Sequence, residues 1–170
     1  VFDTGSGTLV DPYLIKRPEQ LNNIRNHNSD HFKQIADIDM SHYHSGTGWN
    51  PINSFNGSYD GNGYIINHLY IENDENNRIG LFSYLGSDSK VINVLIQNVN
   101  VTGENGYIGT LAGENKGIIK NCGITGNVTG DGNERGIGGL VGWNRGSLIN
   151  SFAKGNIKSE NDSSSEIGGL

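Results

Sequence analysis

Ile79-Gly-Leu-Phe82 is the stretch that decides the fold, because it returns three more times before the chain ends. The later copies are Ile108-Gly-Thr-Leu111, Ile137-Gly-Gly-Leu140 and Ile167-Gly-Gly-Leu170, so the spacing between copies is almost constant. A fixed period of about 29 residues indicates one supersecondary unit stacked on copies of itself. The period therefore predicts a solenoid, an architecture that offers a long shallow surface more readily than one deep pocket.

A second motif recurs inside each unit. Segment 119–128 aligns with segment 148–157 one period later, and segment 91–96 aligns with the first part of 119–128. These runs are short, rich in β-branched residues and bounded by glycine, which is typical of strands. A strand-only unit can bury its apolar face if the chain coils, so that each strand pairs in parallel with its copy one turn on. The sequence therefore predicts an all-β fold, a right-handed parallel β-solenoid with coils of about 29 residues.

The register of the repeats predicts which side chains stack from coil to coil. The predicted columns are Val94, Cys122 and Ser151; Ile96, Ile124 and Ala153; and Asn93, Asn121 and Asn150. The apolar alternation changes phase at the asparagine column, which indicates a corner, because asparagine tolerates left-handed backbone geometry. Stacked amides at that corner can also hydrogen-bond along the column. A second corner is predicted at three glycines, Gly80, Gly109 and Gly138.

The chain is predicted to contain three regions. Residues 1–30 form an N-terminal segment, in which Pro18 to about His27 is predicted to be a short helix that caps the first coil. Residues 31–78 are predicted to be the first coils of the solenoid. Residues 79–170 are the repeats, and because a new copy starts so near the last residue, we expect the chain to be cut from a longer protein.

Two patterns define the first coils. The alternation in His31–Met40 predicts one strand, with Phe32, Ala36, Ile38 and Met40 on its inward face. Segment 59–64 contains an Asp-Gly and an Asn-Gly pair, both of which tolerate a positive φ, so it is predicted to be a turn.

These motifs resemble the GLUG repeat of bacterial secreted and surface proteins, which is also found in the non-catalytic part of some immunoglobulin A peptidases. The segments that carry the resemblance are Gly109–Gly113 with Gly117–Cys122, and Gly138–Gly142 with Gly146–Asn150. The first unit departs from the pattern, because Gly80-Leu-Phe-Ser-Tyr84 ends in tyrosine instead of glycine, so that corner is expected to differ. The resemblance covers about Ile35 to Leu170. It implies a parallel β-solenoid in an exported protein, and it implies no reaction.

The best metal candidate is the pair His42 and His44, with His31, Asp37 and Asp39 nearby. Two histidines at i and i+2 can share one face of a strand, and carboxylates could complete a site. We favour the alternative, a polar loop with exposed histidines and with carboxylates that accept hydrogen bonds from local backbone amides. No HExxH, GxSxG or phosphate-binding motif occurs in the sequence, so we predict no catalytic, cofactor-binding or metal-binding residue.

The remaining chemical candidates also have simpler explanations. Asp60-Gly-Asn62 fits a turn better than a calcium site, since the EF-hand pattern is missing. Cys122 lies in an inward column and is interpreted as a small buried hydrophobe, not a nucleophile. The acidic residues occur mostly in loops such as Asn73–Glu75 and Ser159–Asp162, so we expect a solvated face instead of the paired carboxylates of a glycosidase.

One apolar stripe remains unexplained by the inward columns. It consists of Ile92, Leu95, Ile149 and Phe152, whose parity points outward. Such a stripe can mark a contact surface, or an adjoining turn or the N-terminal segment can cover it. We favour the covered arrangement.

These observations predict a non-catalytic β-solenoid region of a secreted or cell-surface bacterial protein, acting as an adhesin-like scaffold or stalk and contact surface. The alternatives are an accessory repeat region of a secreted immunoglobulin A-type metallopeptidase, and a carbohydrate-binding or carbohydrate-degrading β-helix. Expected partners are host or neighbouring cell-surface proteins or glycans and the adjacent domains of the parent chain, with no cofactor. The net charge of −6 argues against nucleic acid, and no apolar stretch approaches the roughly 18 residues of a membrane span.

Overall fold

The computed structural model describes residues 1–160 and 166–170. Its strands and its α-helix, in chain order, are β1 (Tyr13–Ile15), α1 (Pro18–Asn23), β2 (His31–Gln34), β3 (Ile38–Asp39), β4 (Ser58–Asp60), β5 (Ile65–Asn67), β6 (Tyr70–Asn73), β7 (Arg78–Ile79), β8 (Phe82–Leu85), β9 (Lys90–Ile92), β10 (Leu95–Ile108), β11 (Ala112–Asn115), β12 (Ile118–Lys120), β13 (Gly123–Gly138), β14 (Val141–Asn144), β15 (Ser147–Ile149), β16 (Phe152–Ser159) and β17 (Glu166–Gly168). Two short 3-10 helices lie at Ile24–Asn26 and Ser41–Tyr43. Among the described residues, no helix has the length and apolar character needed to cross a membrane.

The strands form three sheets. Sheet A has the order β1-β2-β4-β9-β12-β15, sheet B the order β3-β5-β10-β13-β16, and sheet C the order β8-β11-β14. Within sheet B, β6 and β7 also pair with β10, and β17 pairs with β13. The ladders between consecutive coils are parallel in all three sheets. The chain passes from sheet A to B to C and returns to A one coil further on, so the predicted parallel β-solenoid is confirmed, with about 5 turns and a spacing of about 29 residues.

The predicted register between coils is confirmed. Ile96 pairs with Ile124, and Ile124 pairs with Ala153. Beside the asparagine column, Lys120 pairs with Ile149. Equivalent side chains therefore lie over one another at the strand spacing of about 4.8 Å, which is what a repeat of fixed length requires.

The apolar residues of the three sheets meet in one buried cluster that runs along the solenoid. The recurrent isoleucines illustrate it, because Ile79, Ile108 and Ile137 pair in register and are at most 1% exposed. The fourth copy, Ile167, pairs with Ile137 but is 52% exposed, since no described coil lies beyond it. Burial of each such side chain contributes about 1.5–3 kcal/mol, so the core gains stability with every coil that is added.

The asparagine corner forms as predicted. Asn93, Asn121 and Asn150 have φ values of 54°, 54° and 47°, all in the left-handed region. The Asn121 side-chain amide donates to Asn93 Oδ1 at 3.1 Å, and the Asn93 amide donates to Asp60 Oδ1 at 2.9 Å. The amides thus form a short ladder that ends on a carboxylate of an earlier coil.

The glycine corner lies where the chain passes from sheet B to sheet C. At Gly80 an added Cβ would lie 2.6 Å from the Gly109 carbonyl oxygen, and at Gly138 it would lie 1.9 Å from the Val141 carbonyl oxygen. None of these corner glycines has a positive φ. Glycine is needed here because backbones of successive segments approach too closely for a side chain.

The N-terminal helix is present as predicted. Helix α1 continues into the 3-10 helix Ile24–Asn26, and both Leu21 and Ile24 are fully buried in the core. Arg25 Nη2 donates to the Asn50 carbonyl oxygen at 2.8 Å. The helix therefore follows β1 within the first coil and packs against the apolar interior that the repeats continue.

The predicted strand His31–Met40 is interrupted, which corrects the sequence-based expectation. Strand β2 ends at Gln34, and β3 begins only after a turn that carries the chain from sheet A to sheet B. Ala36, predicted to face inward, lies in that turn and is only half-buried. Gln34 takes a fully buried position, and its side-chain amide donates to the Ala36 carbonyl oxygen at 2.9 Å. A period-2 pattern cannot distinguish one strand from two that are joined by a corner.

Candidate functional site

The histidines of the predicted metal candidate make separate contacts. His42 is exposed in the 3-10 helix Ser41–Tyr43. His44 Nε2 lies 2.7 Å from the carbonyl oxygen of His68 and can donate a hydrogen bond to it. His68, which the sequence analysis did not single out, lies one coil further on, with its Nδ1 2.9 Å from Asp39 Oδ1. The His68 imidazole, together with the Ser41 N–H, lowers the pKa of Asp39 to about 2.

The other two residues of that candidate lie apart, His31 in β2 of sheet A and Asp37 in the turn between β2 and β3. His31 Nδ1 is 2.8 Å from Ser58 Oγ in sheet A. Asp37 Oδ1 accepts a hydrogen bond from the Ile65 N–H at 2.8 Å. Within residues 1–160 and 166–170, no three His, Cys, Asp or Glu side chains converge as metal ligands. Asp39 accepts a hydrogen bond from a local backbone amide, the Ser41 N–H at 3.1 Å, whereas the amide that donates to Asp37 belongs to the next coil.

The predicted Asp60–Asn62 turn is present. Asp60 Oδ1 accepts from the Asn62 N–H at 2.8 Å and from the Asn93 side-chain amide at 2.9 Å. Asn62 and Gly63 have φ values of 54° and 80°. The carboxylate therefore holds the turn and the asparagine ladder together.

Cys122 is buried as predicted. It is 1% exposed, and its Sγ lies 3.4 Å from the Lys120 carbonyl oxygen. Burial raises the pKa of its thiol to about 11, so the thiolate that nucleophilic chemistry needs is disfavoured.

The outward apolar stripe is covered only in part. Ile149 and Phe152 are 41% and 51% exposed, so the interpretation that the stripe is covered is wrong for these two residues. The Phe152 ring lies over Gly123 of the preceding coil, where an added Cβ would be 2.4 Å from its Cε1. At the other end of the stripe, Leu9 and Val10 of the N-terminal segment line a cleft together with Ile92.

In the described residues of the two acidic loops, polar side chains form local hydrogen bonds and an ion pair. Asn73 Oδ1 accepts hydrogen bonds from the backbone N–H groups of Glu75 and Asn76 and closes a turn. In the second loop Glu160 pairs with Lys158, and residues 161 and 162 lie outside the described part of the chain. Glu114, a carboxylate in strand β11 of sheet C, was not among the acidic residues singled out from the sequence.

Glu114 belongs to a column on sheet C that also contains two aromatic residues. Tyr84 of β8 pairs with Glu114 of β11, which pairs with Trp143 of β14. Glu114 is only 1% exposed, whereas Trp143 is 36% exposed and Tyr84 is half-buried. The acidic side chain is therefore covered, and it is flanked by larger side chains on the preceding and following coils.

The length of the first glycine corner places Tyr84 in this column. Strand β8 begins two residues after Gly80, whereas β11 begins three residues after Gly109. Because the first corner is one residue shorter, Tyr84 pairs with Glu114 and not with Gly113. This corner was expected to differ from the later ones, and it does so because it is one residue shorter.

Two glycines then bring neighbouring cations and rings close to the column. An added Cβ at Gly113 would lie 2.7 Å from the Arg78 Cβ, and one at Gly142 would lie 2.7 Å from the Tyr107 carbonyl carbon. Because glycine has no side chain, the ends of β7 and β10 can approach the backbone of sheet C at these two positions. Arg78 and Tyr107 consequently sit beside Glu114 and Trp143.

Three cations surround the Glu114 carboxylate. Arg78 Nε lies 2.6 Å from Oε2, whereas Arg145 Nη1 and Lys116 Nζ lie 3.6 and 3.8 Å from Oε1. The side chains of Arg78, Arg145 and Lys116 are 45%, 48% and 37% exposed. One buried negative charge therefore faces three positive charges that remain accessible to solvent.

Aromatic rings contact the same cations. The Arg78 guanidinium and the Lys116 ammonium lie 5.5 and 5.3 Å from the centroid of Tyr84. The Arg145 guanidinium lies 4.7 Å from the centroid of Trp143, and Trp143 stacks on Tyr107 at a centroid distance of 4.6 Å. Each ring attracts a cation through its quadrupole without neutralising the charge.

We call this surface the cation–aromatic patch. Its members are Arg78, Tyr84, Tyr107, Lys116, Trp143 and Arg145, arranged around Glu114. Its three cations are accessible to solvent, so the arrangement can bind an anion non-covalently. The sequence carried a signal for it, because Lys116 and Arg145 are one period apart and occupy the same position of consecutive coils.

Comparison with known proteins places the chain among repeat proteins. Residues 133–158 match the family model of the GLUG motif, which confirms the resemblance noted in the sequence. The chain is 37% identical over 134 residues to a protein of Evansella cellulosilytica whose name is that of a Gly-rich membrane protein; the match spans 73% of this chain and 16% of that protein. It is also 37% identical over 143 residues to halomucin of Haloquadratum walsbyi, over 75% of this chain and 2% of halomucin.

A solved structure shares the fold. The crystal structure of a protein named as an immunoglobulin A1 protease from Bacteroides ovatus superimposes with a TM-score of 0.68, covering 95% of this chain and 66% of that chain. The sequence identity is 23%, so this likeness concerns the fold alone. The chain is a parallel β-solenoid with a GLUG repeat, and it corresponds to a small share of the length of the two sequence relatives.

Proposed function

We propose that this chain is a non-catalytic spacer and contact region of a secreted or cell-surface protein. The observation that carries the proposal is the unbroken stack of in-register columns, such as Ile79, Ile108 and Ile137. In such a stack each coil contacts only its neighbours, so length can be added without a new core. This suits a stalk that projects other domains. The relatives named as a membrane protein and as halomucin support an exposed location.

The adhesive part of the proposal is tested with beads. Inert beads coated with the purified chain should adhere to cells of the source organism or of its neighbours. Beads coated with an Ile124→Asp variant, in which a charge enters the Ile96–Ile124–Ala153 column, should adhere less, because the ribbed surface is lost on unfolding. Equal adhesion of both bead types would contradict a role for the folded solenoid.

The non-catalytic part has its own test. Incubation of the purified chain with immunoglobulin A and with a panel of polysaccharides should release no cleavage products. Elemental analysis of protein purified without a polyhistidine tag should find metal only at trace levels. Stoichiometric zinc, nickel or copper that disappears in a His42→Ala/His44→Ala variant would overturn the absence of a metal site.

A second candidate is an accessory region of a secreted peptidase, favoured by the shared fold with a protein named as an immunoglobulin A1 protease. Such a peptidase needs its catalytic zinc site elsewhere, since no HExxH motif occurs in these residues. The complete sequence of the parent protein decides between the two. An HExxH motif outside this segment favours the peptidase, and many further repeats with a wall anchor favour the stalk.

A further inference from the structure

We propose that the cation–aromatic patch binds an acidic polysaccharide through its carboxylate or sulfate groups. The proposal deepens the contact function above and rests on it for its biological setting. The binding itself is a property of the purified chain and can be measured separately.

The cation–aromatic patch holds a local excess of positive charge in an acidic protein. The chain carries a net charge of −6, yet Arg78, Lys116 and Arg145 share the single carboxylate of Glu114. Within the described residues, no other acidic side chain forms an ion pair with these three. Two positive charges therefore remain uncompensated at one place, and an external anion can compensate them.

Two cations of the patch have hydrogen-bond donors that are available to a ligand. Arg145 and Lys116 lie at 3.6 and 3.8 Å from the carboxylate, beyond ordinary hydrogen-bond distance. Their positions are instead fixed by Trp143 and Tyr84, over whose rings they lie. Because these rings are neutral, the cations are ordered while their N–H groups stay available for charge-assisted hydrogen bonds to an anion. Pre-ordering of this kind lowers the entropic cost of binding.

The polar groups around Arg78 suit a sugar. Arg78 lies between two shallow clefts of about 230 and 200 Å³. Asn77 lines both clefts, and the larger one is also lined by Asn53, Ser83 and the acidic Glu75. The Ser83 hydroxyl donates to Asn53 Oδ1 at 2.6 Å, which leaves the Asn53 side-chain N–H groups and the Asn77 amide for a ligand. Amide and hydroxyl groups both donate and accept hydrogen bonds, as the hydroxyl groups of a sugar do. Arg135 adds another cation at the smaller cleft.

The spacing of the cations along the solenoid limits the charge density of the polymer that they can bind. Lys116 and Arg145 are equivalent positions of consecutive coils, since the Lys116 N–H donates to the Leu85 carbonyl and the Arg145 N–H donates to the Asn115 carbonyl. Cations at this coil spacing of about 4.8 Å suit a polyanion with widely separated charges. Duplex DNA carries a charge for every ~1.7 Å of its axis, a density that cations at this spacing do not match.

Affinity electrophoresis tests the proposal with defined polymers. The purified chain should be retarded in gels that contain alginate, a uronate polymer, or dextran sulfate, and should run freely in neutral dextran. Retardation by alginate alone identifies a carboxylate ligand, and retardation by dextran sulfate alone identifies a sulfate ligand. Free migration with both would overturn the proposal.

Matched charge variants locate the site. Lys116→Gln/Arg145→Gln should weaken binding by about tenfold or more, as expected for loss of two charge-assisted contacts. Lys120→Gln/Lys154→Gln removes the same charge from exposed positions outside the patch and should change the affinity by less than about twofold. Equal losses in both variants would overturn the site. The melting temperature of each variant should be close to that of the unmodified chain, which excludes unfolding as the cause of weaker binding.

A third variant separates a sugar from other polyanions. Asn77→Ala should weaken binding of alginate or dextran sulfate but leave any weak binding of polyglutamate or single-stranded DNA unchanged, because only the sugar uses the amide. Polyglutamate or DNA binding as tightly as the polysaccharides would overturn the ligand class. Bead adhesion that fails while glycan binding persists would contradict the proposed function only, and the reverse result would contradict the ligand only.

Discussion

Single side chains in this molecule depend on the coils before and after them. Ile124 is 1% exposed, and it pairs with Ile96 on one side and Ala153 on the other. Its neighbour Thr125 has the opposite parity and is only half-buried. Adjacent residues of one strand therefore have very different tolerance to a charge.

Ile124→Asp should lower the free energy of unfolding by more than about 4 kcal/mol, because the carboxylate would enter a dry apolar column. Thr125→Asp is the matched control. It should cost less than about 1 kcal/mol, since its side chain reaches solvent. Urea denaturation of both variants measures the difference, and similar losses would contradict the inward and outward assignments.

Cys122 provides a residue-scale prediction on pH. Burial raises its folded-state pKa from the ordinary value of 9.0 to about 11. As the pH rises, the unfolded chain therefore loses the thiol proton first, and the free energy of unfolding falls between these two pH values. The slope is at most about 1.4 kcal/mol per pH unit.

A Cys122→Ala variant should lack this part of the pH dependence. The stability of the unmodified chain relative to the variant should accordingly shrink as the pH rises from 9 to 11, because the titration of buried tyrosines such as Tyr59 is common to both. Parallel curves for the two proteins in denaturant titrations would show that the thiol ionises equally in the folded and unfolded states.

At the scale of elements, the two types of corner are stabilised in different ways. The asparagine corner combines left-handed backbone geometry with a ladder of side-chain amides. The glycine corner instead depends on close backbone approach, and its length sets the register of sheet C. Each corner type is consequently sensitive to a different substitution.

Asn121→Ala should reduce the free energy of unfolding by about 1–2 kcal/mol, because it loses the hydrogen bond to Asn93 and forces alanine into left-handed geometry. Asn121→Gly should cost less, since glycine adopts that geometry readily. Thermal and chemical denaturation of the two variants separates the two contributions.

Asn150→Ala is the control for the ladder. Asn150 has the same left-handed geometry, with φ of 47°, but in the described part of the chain its amide makes no hydrogen bond to Asn121. Its replacement should therefore cost only the backbone contribution. A loss as large as that of Asn121→Ala would mean that the ladder contributes nothing.

At the scale of the whole molecule, the ends of a solenoid expose strand edges and apolar columns. The first coil combines β1, which pairs with β2, and helix α1, whose Leu21 is fully buried. An exposed coil can stack on another chain unless something covers it. The helix is thus in a position to act as a cap.

Deletion of residues 1–30 should cause association, because it removes β1 and α1 and uncovers the next coil. Deletion of residues 1–11 alone keeps both elements and should leave the association state of the full chain unchanged. Light scattering after size-exclusion chromatography distinguishes the outcomes. A 1–30 deletion that associates no more than the full chain and melts at the same temperature would contradict the cap.

The sequence by itself determined the architecture. The Ile-Gly pairs that begin at Ile79, Ile108, Ile137 and Ile167 force equivalent side chains into columns, since only stacked coils of equal length bury a strand-only repeat. The same periodicity predicted the burial of Cys122 and the asparagine corner, because both follow from local pattern and register. These features recur in successive coils, so the sequence pattern of one coil predicts the structure of the next.

The tertiary structure alone decided the features that do not repeat. The interruption of His31–Met40 and the exposure of Phe152 depend on where the chain turns and on which neighbours remain uncovered. The cation–aromatic patch joins Arg78 to Glu114, 36 residues away, and it includes Tyr84 because one corner is a residue shorter than the next. Such contacts form across coils and corners, where the outcome depends on distances between backbones that no periodic pattern in the sequence encodes.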